Sequence, residues 1–108
     1  MLTYPENQSL EELVQEKTIV ILEIGSTRCS ACAAIKNKLS ATVPENENIV
    51  SYYMSLDNHP EIASSLQIFS APAVLVYVQG KLTIKEAGCF SLENIFMKIN
   101  QYLEILEL

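Results

Sequence analysis

A chain of 108 residues with a net charge of −6 and an isoelectric point near 4.6 holds one domain, long enough for a single core and too short for two. Its acidity repels phosphate backbones and anionic lipid headgroups, which excludes the electrostatic attraction that drives binding to nucleic acid or membrane. The opening residues Met1-Leu2-Thr3-Tyr4-Pro5-Glu6-Asn7 lack the basic stretch and unbroken apolar region of a signal peptide or anchor, so the expected location is cytoplasmic.

Ser9-Leu10-Glu11-Glu12 has the spacing in which Ser and Glu side chains cap a helix start reciprocally, and Leu10, Leu13 and Val14 then share one face. A short first helix follows. Thr18 to Ile24 is β-branched and apolar at alternate and intervening positions alike, which predicts a central strand covered by helices on each side. A second helix is expected from Ser30 to about Ala41, with Ala31, Ile35 and Leu39 in one stripe. The polar loop Val43 to Asn48 leads to a strand over Ile49 to Leu56, and Asn58-His59-Pro60-Glu61 starts a short helix with proline where its missing N–H does no harm. Two strands, Ala73 to Val78 and Leu82 to Ala87, flank the glycine-bearing turn Gln79-Gly80-Lys81 and predict a hairpin. Leu92, Ile95, Phe96, Ile99, Leu103 and Leu106 recur at helical spacing and close the chain with an amphipathic helix. This order implies an α/β fold, a mixed sheet with helices on both faces.

Cys29-Ser30-Ala31-Cys32 falls at the junction of the central strand and the second helix. Two cysteines so spaced on a first helical turn can close into a disulfide, and the first thiol then faces unpaired backbone N–H groups that favour its thiolate. In a reducing compartment such a pair is catalytic or metal-binding rather than a structural staple. The three cysteines cannot all pair internally. Cys29, Cys32, Cys89 and His59 could be counted as zinc ligands, but no second close pair gives the usual clustered spacing, and no metal or other cofactor is expected. His59 belongs to a helix start.

Several further signals coincide with the dithiol: an acid, Glu23, six positions before Cys29 in an apolar strand, Ser70-Ala71-Pro72 leading into another, and the glycines Gly80 and Gly88. From about Thr18 to Leu106 the chain resembles the thioredoxin family. The resemblance implies a thioredoxin-like fold. Because the family's first strand has no evident counterpart here, the expectation is a four-stranded sheet.

By position, Cys29 resembles the family's attacking thiol and Cys32 its resolving thiol. Pro72 resembles the cis proline that lies against the dithiol, and a proline there offers no N–H beside the sulfurs. Glu23 resembles the buried acid that accepts the resolving thiol's proton; a carboxyl inside an apolar strand is costly to desolvate and so wants a reason. Arg28, Ala71, Pro72 and Gly88 are the expected substrate-facing residues. The chain departs from the family in carrying Arg28 where a tryptophan is usual, Ser30-Ala31 in place of Gly-Pro, and Ala71 in place of a larger β-branched residue. Tyr53 replaces the lysine that pairs with the acid in many members, which makes the acid's surroundings less positive. Cys89, following Gly88, reads either as a small hydrophobe or as a second redox thiol or glutathionylation site.

The implied function is a monomeric thiol–disulfide oxidoreductase that reduces protein disulfides and is recharged by a thioredoxin reductase-like partner. The alternative is a protein-binding module that keeps the fold with little redox turnover.

Overall fold

The run read as the central strand is buried at every position from Ile19 onward. In the computed structural model, which describes residues 1–108, it forms β2 (Ile19–Gly25). Around it, in chain order, lie β1 (Leu2–Thr3), α1 (Leu10–Leu13), α2 (Cys32–Thr42), β3 (Ile49–Ser55), α3 (Pro60–Ser65), β4 (Ala73–Val78), β5 (Lys81–Ala87) and α4 (Leu92–Ile105). The sheet runs β1-β3-β2-β4-β5. Strand β2 is parallel to β3, with Ile19 beside Ile49 and Gly25 beside Ser55, and antiparallel to β4, with Ile24 opposite Ala73.

Alternate residues of each strand feed two core layers, because successive side chains point to opposite faces. Val20, Leu22 and Ile24 join Tyr52, Met54, Leu75 and Tyr77 against α1 and α3 on one face. Ile19 and Ile21 join Val74 and Val76 against Leu39 of α2 and Leu92, Ile95 and Ile99 of α4 on the other. By this alternation Glu23 belongs to the α2/α4 face.

The sheet has five strands, which corrects the expectation of four. Leu2 and Thr3 pair in parallel with Tyr52 and Tyr53, and the Tyr4 amide adds a bond to the Tyr53 carbonyl at 2.9 Å. A strand of two residues is too short to show an alternation. The anchor is Tyr4, which is only 3% exposed and packs into the α1/α3 layer.

Local chemistry explains the other elements. The Ser9 hydroxyl accepts the Glu12 amide at the start of α1, and the Ser91 hydroxyl accepts the Asn94 amide at the start of α4, at 3.2 Å. Pro60 opens α3 at its first position. The hairpin turn is Gln79-Gly80 alone, with φ of 54° and 80°, the doubly positive backbone of a tight two-residue connection; Lys81 is already in β5. The second helix begins at Cys32, two residues later than expected. Ala31 holds its cap position without a side-chain bond, since alanine offers no acceptor for the first free amides.

Candidate active site

Strand β2 ends at Gly25 in the interior of the sheet, and the chain must turn there before α2 can pack back over it. The turn is pinned twice. The Leu56 amide, just past β3, donates to the Gly25 carbonyl at 2.7 Å, and the Asp57 carboxylate accepts the Thr27 amide at 3.3 Å. Cys29 follows, its amide donating to the Ser26 carbonyl at 3.2 Å.

Cys29 and Cys32 form a disulfide, with their Cα atoms 5.5 Å apart. Cys29 precedes α2 instead of lying within its first turn, and Cys32 is the first helical residue. The two sulfurs differ in access: Cys29 is half-buried, whereas Cys32 is 3% exposed. The unbonded amides at the start of α2 present positive partial charge to this end of the dithiol. Arg28 beside it is exposed.

Ala71–Pro72 is a cis peptide bond. Because Ile24 pairs with Ala73, the segment leading into β4 leaves the sheet at the same end as the dithiol loop. Both Ala71 and Pro72 are half-buried. Gly88 lies at the same end, since β5 closes with Ala87 opposite Ala73, and its amide donates to the Pro72 carbonyl at 2.9 Å. Its φ is +80° while a Cβ there would meet nothing within 4 Å, so glycine serves the backbone conformation and not a lack of room.

Glu23 has no solvent exposure, and neither carboxyl oxygen has a hydrogen-bond partner. Burial pushes its carboxyl up to about 7, while the positive charge of Lys36 pulls the other way. A carboxyl so placed can exchange a proton near neutral pH. Tyr53 is its β3 partner, and burial, then the negative charges of Glu23 and Asp57, raise the phenol. The Lys36 ammonium stands 4.9 Å from the Tyr53 ring centroid. The replacement of a lysine by Tyr53 therefore does not leave the acid without a cation, since α2 supplies one.

The geometry gathers Cys29, Cys32, Ala71, Pro72 and Gly88 at one end of the sheet, with Glu23 on the sheet face that α2 covers. Lys36 and Asp57 are missing from the sequence reading. Lys36 carried a signal, its position four residues after Cys32 on the same helix face; Asp57 carried none, because its bond to Thr27 crosses between two loops. Cys89 is a free, exposed thiol, which excludes packing as a small hydrophobe. His59 stacks edge-on against Tyr4 with ring centroids 5.0 Å apart. No three His, Cys, Asp or Glu side chains gather as a metal site, and no helix is long and apolar enough to cross a membrane.

Comparison with known proteins places this arrangement in a family. The thioredoxin family model matches residues 2–101. The chain is 21% identical over 99 residues to the thioredoxin-like protein YdfQ of Bacillus subtilis (strain 168), covering 92% of this chain and 88% of that one. Among the solved structures that share the fold, two illustrate the likeness. One is a mutant thioredoxin from Halobacterium salinarum NRC-1, with a TM-score of 0.80 at 13% identity over 94% of this chain and 88% of that one. The other is the oxidised thioredoxin from Plasmodium falciparum, with a TM-score of 0.76 at 19% identity over 92% and 98% of the two chains. The fold and its Cys-x-x-Cys pair support thiol–disulfide oxidoreductase chemistry in general, and this chain belongs to the thioredoxin family.

Proposed function

We propose that the protein reduces disulfides in other proteins, with Cys29 as nucleophile, Cys32 as resolving thiol and Glu23 as acceptor of the Cys32 proton. The observation that carries this reading is the asymmetry of the dithiol, half-open at Cys29 and buried at Cys32. A substrate sulfur can approach the first, while the second is kept for the intramolecular step.

In that scheme the Cys29 thiolate attacks a substrate disulfide, forming one mixed disulfide and releasing one substrate thiolate. Cys32 then gives its proton to Glu23 and attacks the Cys29 sulfur. The Cys29–Cys32 disulfide forms, the second substrate sulfur leaves, and the substrate has gained two electrons. The helix start and Arg28 favour the Cys29 thiolate. Ala71, Pro72 and Gly88 border the approach, and the Ala71 backbone is the proposed partner for extended substrate. A thioredoxin reductase-like partner, drawing electrons from NADPH, would restore the dithiol in the cytoplasm, and the protein would act as a monomer.

Insulin reduction with dithiothreitol as electron source tests this. Wild type should turn over, Cys29→Ser should abolish turnover, and Cys32→Ser should accumulate mixed disulfides with substrate. Absence of turnover in the wild type, or turnover indifferent to both substitutions, would leave the fold as a binding module.

A further inference from the structure

Lys36 and Tyr53 flank the buried acid and have no part in the scheme above. Lys36 lies one helical turn after Cys32, and side chains four apart share a helix face. Helix α2 packs through Leu39 onto the layer formed by Ile21 and Val74, the sheet face that carries Glu23. The Lys36 ammonium sits 4.9 Å from the centre of the Tyr53 ring, and Tyr53 neighbours Glu23 across the parallel pair. Gly25 makes that ring position possible, since a Cβ there would overlap the Tyr53 hydroxyl and ring edge. On the opposite flank Glu23 meets the apolar Val74, and the negative charge of Asp57 acts on Tyr53 as that of Glu23 does. A carboxyl with no hydrogen-bond partner thus has one nearby cation, held in place by an aromatic face.

We propose that Lys36, seated on the Tyr53 ring, is a positioning residue that sets the proton affinity of Glu23 and thereby the pH at which Cys32 can be deprotonated. This rests on the assignment of Glu23 as the Cys32 proton acceptor. The ring's negative face attracts the ammonium, and Lys36 is otherwise exposed. Burial and Lys36 act on the carboxyl in opposite directions. Without the cation, more of Glu23 stays protonated at neutral pH and cannot accept a proton.

Two readouts on the full chain test this. The first is titration of the Glu23 carboxyl in the reduced protein by carbon-13 NMR, with its signal assigned by loss in Glu23→Gln. The second is the pH profile of thionitrobenzoate release from a Cys29 mixed disulfide, a colour change that reports the Cys32 step alone. Lys36→Met should raise both midpoints by about half a unit to one unit, Lys36→Glu by more, and Lys36→Arg should keep them near wild type. An unmoved carboxyl midpoint in Lys36→Met overturns the role of Lys36, even if Glu23→Gln still removes the inflection in thionitrobenzoate release. A carboxyl midpoint that moves while the release profile does not, or a Glu23→Gln profile identical to wild type, instead overturns Glu23 as the acceptor.

Discussion

At the scale of single residues, Glu23 is the one charged side chain wholly removed from solvent, and the fold carries it at a cost that depends on pH. Its carboxyl moves from an ordinary value of 4.5 up to about 7, mainly because burial disfavours the charged form. Between those values the folded chain holds a proton that the unfolded chain has lost. The associated stability is therefore complete below the unfolded value and is lost as pH rises through the folded one. At about 1.4 kcal/mol per unit the loss is about 3 kcal/mol. Urea denaturation of wild type and Glu23→Gln at pH 4 and pH 8.5 should show the variant gaining about that much relative to wild type at the higher pH. A difference that does not change between the two pH values would remove the buried carboxyl as its source. The acid was legible in the sequence because a carboxyl interrupts an otherwise apolar strand. Its cation was legible only in part: Lys36 stands four residues after Cys32 on one helix, but its meeting with Tyr53 joins two elements whose packing no linear pattern records.

At the scale of elements, most boundaries follow from short-range chemistry that the sequence displays. Ser9 and Ser91 accept the amides their spacing assigns to them, Pro60 opens its helix, and β2 and β4 are buried along their whole lengths as apolar runs require. The start of α2 is not legible in the same way, because no side chain caps it. A local rule governs the β4–β5 connection as well: Gln79 and Gly80 both take positive φ, which costs an L-residue with a Cβ about 1–2 kcal/mol. Gly80→Ala should accordingly lower stability by about 1 kcal/mol, with any added crowding falling on the Gln15 side chain, whose end can move. The denaturation midpoint should drop with an unchanged slope against denaturant. An unaltered midpoint would show that the turn accepts a Cβ, and a changed slope would point to a disturbed native or denatured ensemble.

At the scale of the whole molecule, two apolar layers on a mixed sheet were legible from the alternation of strands and helices, and they place the dithiol loop, the Pro72 segment and Gly88 at one end. The edge strand was not legible, because two residues carry no period and their pairing depends on a distant partner. What fastens that edge is a single aromatic: Tyr4 is buried to 3% exposure, sits in the layer with Leu13, Val14 and Tyr52, and meets His59 of the α3 start edge-on. Replacing a buried aromatic by alanine removes its burial and leaves a cavity, a combined cost of about 3–5 kcal/mol. Tyr4→Ala should approach that loss and also free β1 from β3, exposing the outer amides and carbonyls of β3 to other chains. Two measurements follow: a lower urea midpoint, and faster amide hydrogen exchange at the β3 positions that β1 covers. Tyr4→Phe keeps the ring and forfeits only a hydroxyl whose bond to the Gln8 carbonyl is 3.4 Å long, so it should stay close to wild type in both. If Tyr4→Ala matched Tyr4→Phe, β1 would be held by its backbone pairing alone, and the N-terminal strand would owe nothing to the core beneath it.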